Sequence, residues 1–86
     1  PYMIAATLNN IGNIYLTEKK YRRALEYYDK ASRVNKPNKF MKWLCINYLN
    51  MGNCYSELGI LDSATIHFER SLEIAQQKSI NWVIAA

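Results

Sequence analysis

Apolar residues along this chain fall at helical spacing. Ile4, Leu8, Ile11 and Tyr15 are separated by four, three and four residues, which places them on one face of a helix. Tyr2 to Leu16 is therefore predicted as helix, and Thr17-Glu18-Lys19-Lys20 as a short turn. The pattern resumes from Tyr21 to Asn35 with Tyr21, Ala24, Leu25, Tyr28 and Ala31. Asn35-Lys36-Pro37-Asn38 predicts the end of that helix, because proline lacks the amide and disfavours helix in the residue before it. A third helix is expected from Phe40 to Leu58, with Trp43, Leu44, Met51 and Tyr55 among its apolar positions. Gly59 is placed to end it in a left-handed cap. Asp62 stands where an N-cap acceptor is expected, ahead of a fourth helix running to about Gln77. Lys78 and Ser79 read as a tight connection, and Ile80 to Ala86 as the opening of a fifth helix. Neither sustained alternation nor an Asn-Gly or Asp-Gly hairpin turn occurs, so the fold class is all-α.

The chain also repeats itself. Ile11-Gly12-Asn13-Ile14-Tyr15 returns as Met51-Gly52-Asn53-Cys54-Tyr55, with the glycines 52 − 12 = 40 residues apart. Ala24, Tyr28 and Ala31 return at the same offset as Ala64, Phe68 and Ser71. Recurrence at a fixed period of this length predicts a stacked helical array. Gly12 and Gly52 are expected to let the paired helix approach, with Ala24 and Ala64 at that contact and the aromatics filling the space around it. Ile66 and Phe68 lie off strict registry, so one of them is expected to face a neighbouring repeat. The offset also aligns Tyr2 to Ala6 with Lys42 to Ile46 and with Trp82 to Ala86. The expected organisation of the single 1–86 unit is a first repeat over 2–41, a second over 42–81 and the start of a third over 82–86. With Pro1 at the head, the chain is expected to be a piece of a longer solenoid.

Half of the 86 residues are hydrophobic and 21% are charged, as in an ordinary folded domain. No apolar run approaches the roughly 20 residues that cross a bilayer, so no membrane partner is expected. Cys45 and Cys54 are nine positions apart on one predicted helix. A rise of about 1.5 Å per residue separates them by roughly 13 Å, beyond disulfide reach, and they read as buried thiols. His67 is the lone histidine, and no metal-ligand spacing surrounds it, so neither a metal nor a cofactor is expected. Glu69 and Glu73 lie one turn apart beside Arg70, which reads as a solvated face rather than an acid–base pair. The net charge is +4, with nine basic and three acidic residues through Lys42 and two against four after it. No run is dense enough for a nucleic-acid arm. Tyr21 and Tyr28 are claimed by the core, leaving Tyr27 alone to stack a base, so nucleic acid is not expected as a partner.

Leu8, Ile11, Gly12, Tyr15, Ala24, Tyr28 and Ala31, with Tyr48, Met51, Gly52, Tyr55, Ala64, Phe68 and Ser71 in the second unit, resemble the tetratricopeptide repeat. That family carries a large residue, a Leu-Gly pair and a Tyr on its first helix, then Ala, an aromatic and Ala on its second. Two departures stand out. The period is forty rather than the usual 34, which lengthens the helices by about one and a half turns in total. Gln76-Gln77 also stand where the family places proline. Forty-residue versions are similar to those of LGN/Pins-type scaffold proteins and of bacterial sensory arrays. The resemblance implies an α–α superhelix and a non-catalytic protein- or peptide-binding module of a larger scaffold or signalling protein, with a cytoplasmic setting favoured.

In arrays of this kind the first helix of each repeat lines a concave groove. The residues of that helix outside the core are Asn9, Asn10, Asn13 and Thr17, with equivalents Leu49, Asn50, Asn53 and Glu57 in the second repeat. Asn10 and Asn13 recurring as Asn50 and Asn53 make an asparagine ladder. An amide both donates and accepts, so it can hold a peptide backbone irrespective of sequence. Asparagine is also a poor helix-interior residue, so its recurrence calls for a reason. The competing reading is that these amides brace adjacent helices. Ala6, Ile46 and Leu49 would add a small apolar floor. The family's lysine clamp for a terminal carboxylate is absent, Asn9 and Leu49 standing at that level. A second reading is homo-oligomerisation, since Ile80, Trp82, Val83 and Ile84 form an uncapped apolar end that invites head-to-tail stacking.

Overall fold

The computed structural model describes residues 2–77. The expected connection at Lys78-Ser79, the fifth helix and the opening of a third repeat lie outside the described residues. Within them are four helices, α1 (Tyr2–Thr17), α2 (Tyr21–Asn35), α3 (Met41–Glu57) and α4 (Leu61–Gln77), and no strand. Each helix packs on the next in chain order. The all-α helical-repeat reading holds.

All three turns close in the same way. At the end of α1 the Lys20 and Lys19 amides donate to the carbonyls of Tyr15 (2.8 Å) and Leu16 (2.9 Å). At the end of α2, Phe40 and Lys39 donate to Asn35 and Lys36; at the end of α3, Ile60 and Gly59 donate to Tyr55 and Ser56. These are paired closures of the kind that need a left-handed residue just past the helix. Gly59 supplies it at φ +78°, as expected, but Lys19 (φ 62°) and Lys39 (φ 59°) supply it elsewhere. A side chain in that region costs about 1–2 kcal/mol. The third turn also explains why Asp62 is not an N-cap. The closure at Gly59 starts α4 at Leu61, and Asp62 lies exposed within the first turn, where its charge complements the helix dipole.

The glycines make room for a ring. A Cβ built on Gly12 would lie 2.8 Å from Tyr28 Cε1, and one on Gly52 would lie 2.6 Å from Phe68 Cε1. The aromatic of the second helix therefore sits directly over the glycine, the place expected for Ala24 and Ala64. Both alanines are buried nearby. Phe68 is thus accounted for within its own repeat, and Ile66 is the residue left 46% exposed. Tyr28 is fully buried and joins Ala24, Met51 and Cys54 in the core, with Tyr15, Leu16, Tyr21, Leu25, Tyr48 and Tyr55 packed around them. Ile4, expected on the packed face of α1, is instead 61% exposed. Ala5, one residue on, takes the buried place.

One helix contact in the core gains polar groups in the second repeat. Ala5 and Ala31 of the first correspond to Cys45 and Ser71 of the second. Ser71 Oγ donates to the Cys45 carbonyl at 3.0 Å, and Cys45 Sγ lies 3.2 Å from the Ser71 carbonyl. Both cysteines are buried and unpaired with each other.

The ring-over-glycine contact makes Gly52→Ala a steric substitution. It is expected to cost about 1–3 kcal/mol, seen as a lower denaturant midpoint. The same change combined with Phe68→Leu should cost less than the two changes summed, because the smaller side chain gives way. The left-handed lysine predicts the opposite sign: Lys39→Gly should raise stability by about 1 kcal/mol in the same unfolding measurement.

Candidate functional site

The candidate residues lie on α1 and α3, the first helices of the two repeats. Asn10, Asn13, Thr17, Leu49, Asn53 and Glu57 are exposed; Asn9 and Asn50 are half-buried. Hydrogen bonding divides them into two groups.

Four are engaged inside the protein. Asn13 Oδ1 accepts the hydroxyl of Tyr28, so the ring seated over Gly12 also ties up one side of the neighbouring amide. Thr17 Oγ1 donates back to the Asn13 carbonyl at 3.0 Å. Glu57 Oε2 accepts from Tyr21 Oη at 3.5 Å, a long contact across to α2. Asn9 Oδ1 accepts from Asn47 Nδ2 at 3.1 Å, which bridges α1 to α3. Asn10, Asn50 and Asn53 have no side-chain hydrogen bond among the described residues. The contrast between Asn13 and Asn53 has a covalent origin. Phe68 stands where the first repeat has Tyr28, and it has no hydroxyl to give.

The bond to Asn9 belongs to a relay that sequence reasoning missed. Asn47 Oδ1 in turn accepts from Asn35 Nδ2 at 2.6 Å. Three asparagines thereby connect α1, α3 and the last turn of α2, and Asn35 and Asn47 are each 1% exposed. Asn47 was open to detection. It occupies an apolar stripe with Leu44, Met51 and Cys54, and a polar side chain there requires a buried partner. Ala5, Ala6, Asn9, Asn35, Trp43 and Asn47 line a cavity of about 10 Å³ at this junction. A wider hollow of about 400 Å³ lies among Lys36, Met41, Tyr48, Arg70, Glu73 and Gln77.

Aromatic contacts account for the remaining candidates. Tyr27 stacks on Tyr15 at 5.5 Å between centroids, with Lys30 Nζ 4.8 Å above its ring, so it is part of the first repeat's packing. His67 lies against Tyr55 (4.9 Å) and Tyr48 (6.0 Å), and its Nδ1 is 2.7 Å from the Ser63 carbonyl. A carbonyl only accepts, so Nδ1 carries the proton. No group of three or more metal-ligating side chains gathers among the described residues, and no described helix is long and apolar enough to cross a membrane.

Burial also sets the protonation states in the core. It pushes the Cys54 thiol up to about 11, with the Glu57 charge adding to the effect. It pushes the Tyr28 hydroxyl to about 12, the Cys54 charge contributing less. Cys54 therefore remains a neutral thiol, the unreactive form. Tyr21 is raised as well, first by desolvation and then by Glu57.

A family model for the tetratricopeptide repeat matches residues 3–77. No curated protein matches the chain, and neither does any solved structure. The match covers all four helices almost end to end, and with it the paired glycines, the rings above them and the repeated first-helix asparagines. The chain belongs to the tetratricopeptide repeat family, whose members are typically non-catalytic protein-interaction modules.

Proposed function

We propose that the chain binds an extended protein or peptide segment along a concave face formed by α1 and α3, as one module of a larger scaffold or sensory protein. The observation that carries this reading is the set of amides with no internal partner. Asn10, Asn50 and Asn53 keep their full donor and acceptor capacity, while Asn9 and Asn13 keep their NH₂ donors but have one internal bond on their oxygens. Asn10, Asn50 and Asn53 would thus hold both edges of a backbone amide, with the NH₂ groups of Asn9 and Asn13 adding donors for ligand carbonyls. Leu49, 39% exposed, with Ala6 and Ile46 supplies apolar contact beside them. The forty-residue period and the likeness to LGN/Pins-type scaffolds and bacterial sensory arrays support such a host. The division into repeats over 2–41 and 42–81, with a third opening at 82, belongs to the same proposal.

A second reading, self-association, draws on a different observation. Ile4 and Ile14 are 61% and 59% exposed, yet their equivalents forty residues on, Leu44 and Cys54, are 3% and 0% exposed. Cys54 is buried against Ala24 and Tyr28 of α2. The outer face of α1 therefore repeats the chemistry of a face that α3 covers with a helix. A second copy docking there would reproduce the α2–α3 contact head to tail.

Display of random peptides against the protein tests the first reading. Enrichment of a common motif is expected, together with its loss in Asn50→Ala/Asn53→Ala, a surface change that leaves the helical circular dichroism unchanged. Enrichment untouched by that pair would remove the ladder from the binding face. Sedimentation equilibrium tests the second. Mass should rise with concentration in the wild type and stay monomeric in Ile14→Glu; a wild type monomeric throughout excludes docking through this face.

A further inference from the structure

The junction of α1, α2 and α3 contains one polar atom that the protein itself leaves unsatisfied. Asn35 Oδ1 is buried and has no hydrogen-bond partner, although the same amide's Nδ2 donates to Asn47. A buried acceptor without a partner keeps the full desolvation penalty of the group. The residue bearing it is 1% exposed, so bulk solvent does not reach it. Asn35 borders the cavity of about 10 Å³ whose other walls include the two remaining asparagines of the relay and the methyl groups of Ala5 and Ala6. That is about the space one water molecule occupies, and a buried water needs two to four polar partners.

We propose that this cavity is a binding site for a single water molecule, an integral part of the contact between the two repeats. The water donates to Asn35 Oδ1. The relay leaves two further groups able to meet it: Asn9 has an uncommitted NH₂, because only its oxygen is engaged. Asn47 uses one proton of its NH₂ for Asn9 and retains the second. The need does not depend on how each amide is oriented. Exchanging oxygen and nitrogen in all three side chains reverses the relay and leaves an Asn35 N–H in place of the oxygen, and a water satisfies that as well.

Among the described residues the site occurs at this junction alone. Forty residues on, Ala75 stands at the place of Asn35 and Leu49 at that of Asn9, so neither end of the relay is repeated. A hydrated polar junction therefore sits where the next position in the array carries apolar residues. Its role is to fix how α1, α2 and α3 meet, since the relay is satisfied only when all three helices hold the water between them.

Water-selective NMR on the isotope-labelled protein decides the matter. Long-lived water should give cross-peaks of the same sign as the diagonal to the side-chain NH₂ protons of Asn35 and Asn47 in the laboratory-frame experiment, and of opposite sign in the rotating-frame one. Asn35→Leu keeps the bulk and removes the acceptor, so the cross-peak to Asn47 should disappear in that variant. Absence of the cross-peaks in the wild type overturns the site whatever the variant does. Their survival in a folded Asn35→Leu protein overturns the assignment to Asn35.

Discussion

The placement of Tyr28 over Gly12 is the contact on which the rest of this structure depends. A methyl at position 12 would enter the ring's own volume, so the fit exists only because glycine has no side chain. Once seated, the ring is fully buried and packs on Met51 and Cys54 of the following helix. A single side chain thereby joins α1, α2 and α3. Burying a side chain of this size contributes on the order of 2–3 kcal/mol, a large share for an array of four helices with so small a core. Phe68 over Gly52 repeats the arrangement one unit on.

The same ring decides which surface amides are free. Its hydroxyl must find a partner when buried, and Asn13 provides it. In the second repeat the phenylalanine makes no such demand, and Asn53 is left with its full hydrogen-bonding capacity. A core choice between Tyr and Phe is thus transmitted to the exposed face through one bond. Two asparagines at equivalent positions differ in what they can offer a ligand, although their backbone settings are alike.

Much of this was legible in the residues, and the limits have physical reasons. Four helices, their approximate ends, the glycine–aromatic pairing and the left-handed Gly59 all leave local or periodic traces. Lys19 and Lys39 do not, because nothing about lysine announces φ near +60°; only the identical closure of all three turns reveals it. The relay of Asn9, Asn47 and Asn35 joins residues 38 and 12 positions apart, and the offset of forty does not carry it on. A contact that occurs once leaves no periodic trace in the residues. The exposure of Ile4 leaves no trace in the spacing for a related reason. Helical spacing identifies an apolar stripe but not how far along the helix it is covered, and Ile4 lies exposed while Ala5 is buried.

These differences between the repeats bear on how an array of near-identical units acquires individuality. The glycine positions are constrained by the fit, since a Cβ at Gly12 or Gly52 would meet the ring above it. Variation is left to the positions beside them: Tyr28 or Phe68 at the ring's tip, Ala5 with Ala31 or Cys45 with Ser71 at the helix contact, and Asn35 or Ala75 at the junction. Each exchange adds or removes a polar group. A buried polar group must be met by a specific partner, whereas an apolar one accepts any well-packed neighbour. Polar exchanges at these sites therefore set register and orientation between particular helices, while the apolar frame supplies the stability they share. The exposed amides of α1 and α3 follow the same distinction: Asn13 is engaged by the core tyrosine beneath it, and Asn53, above a phenylalanine, is not.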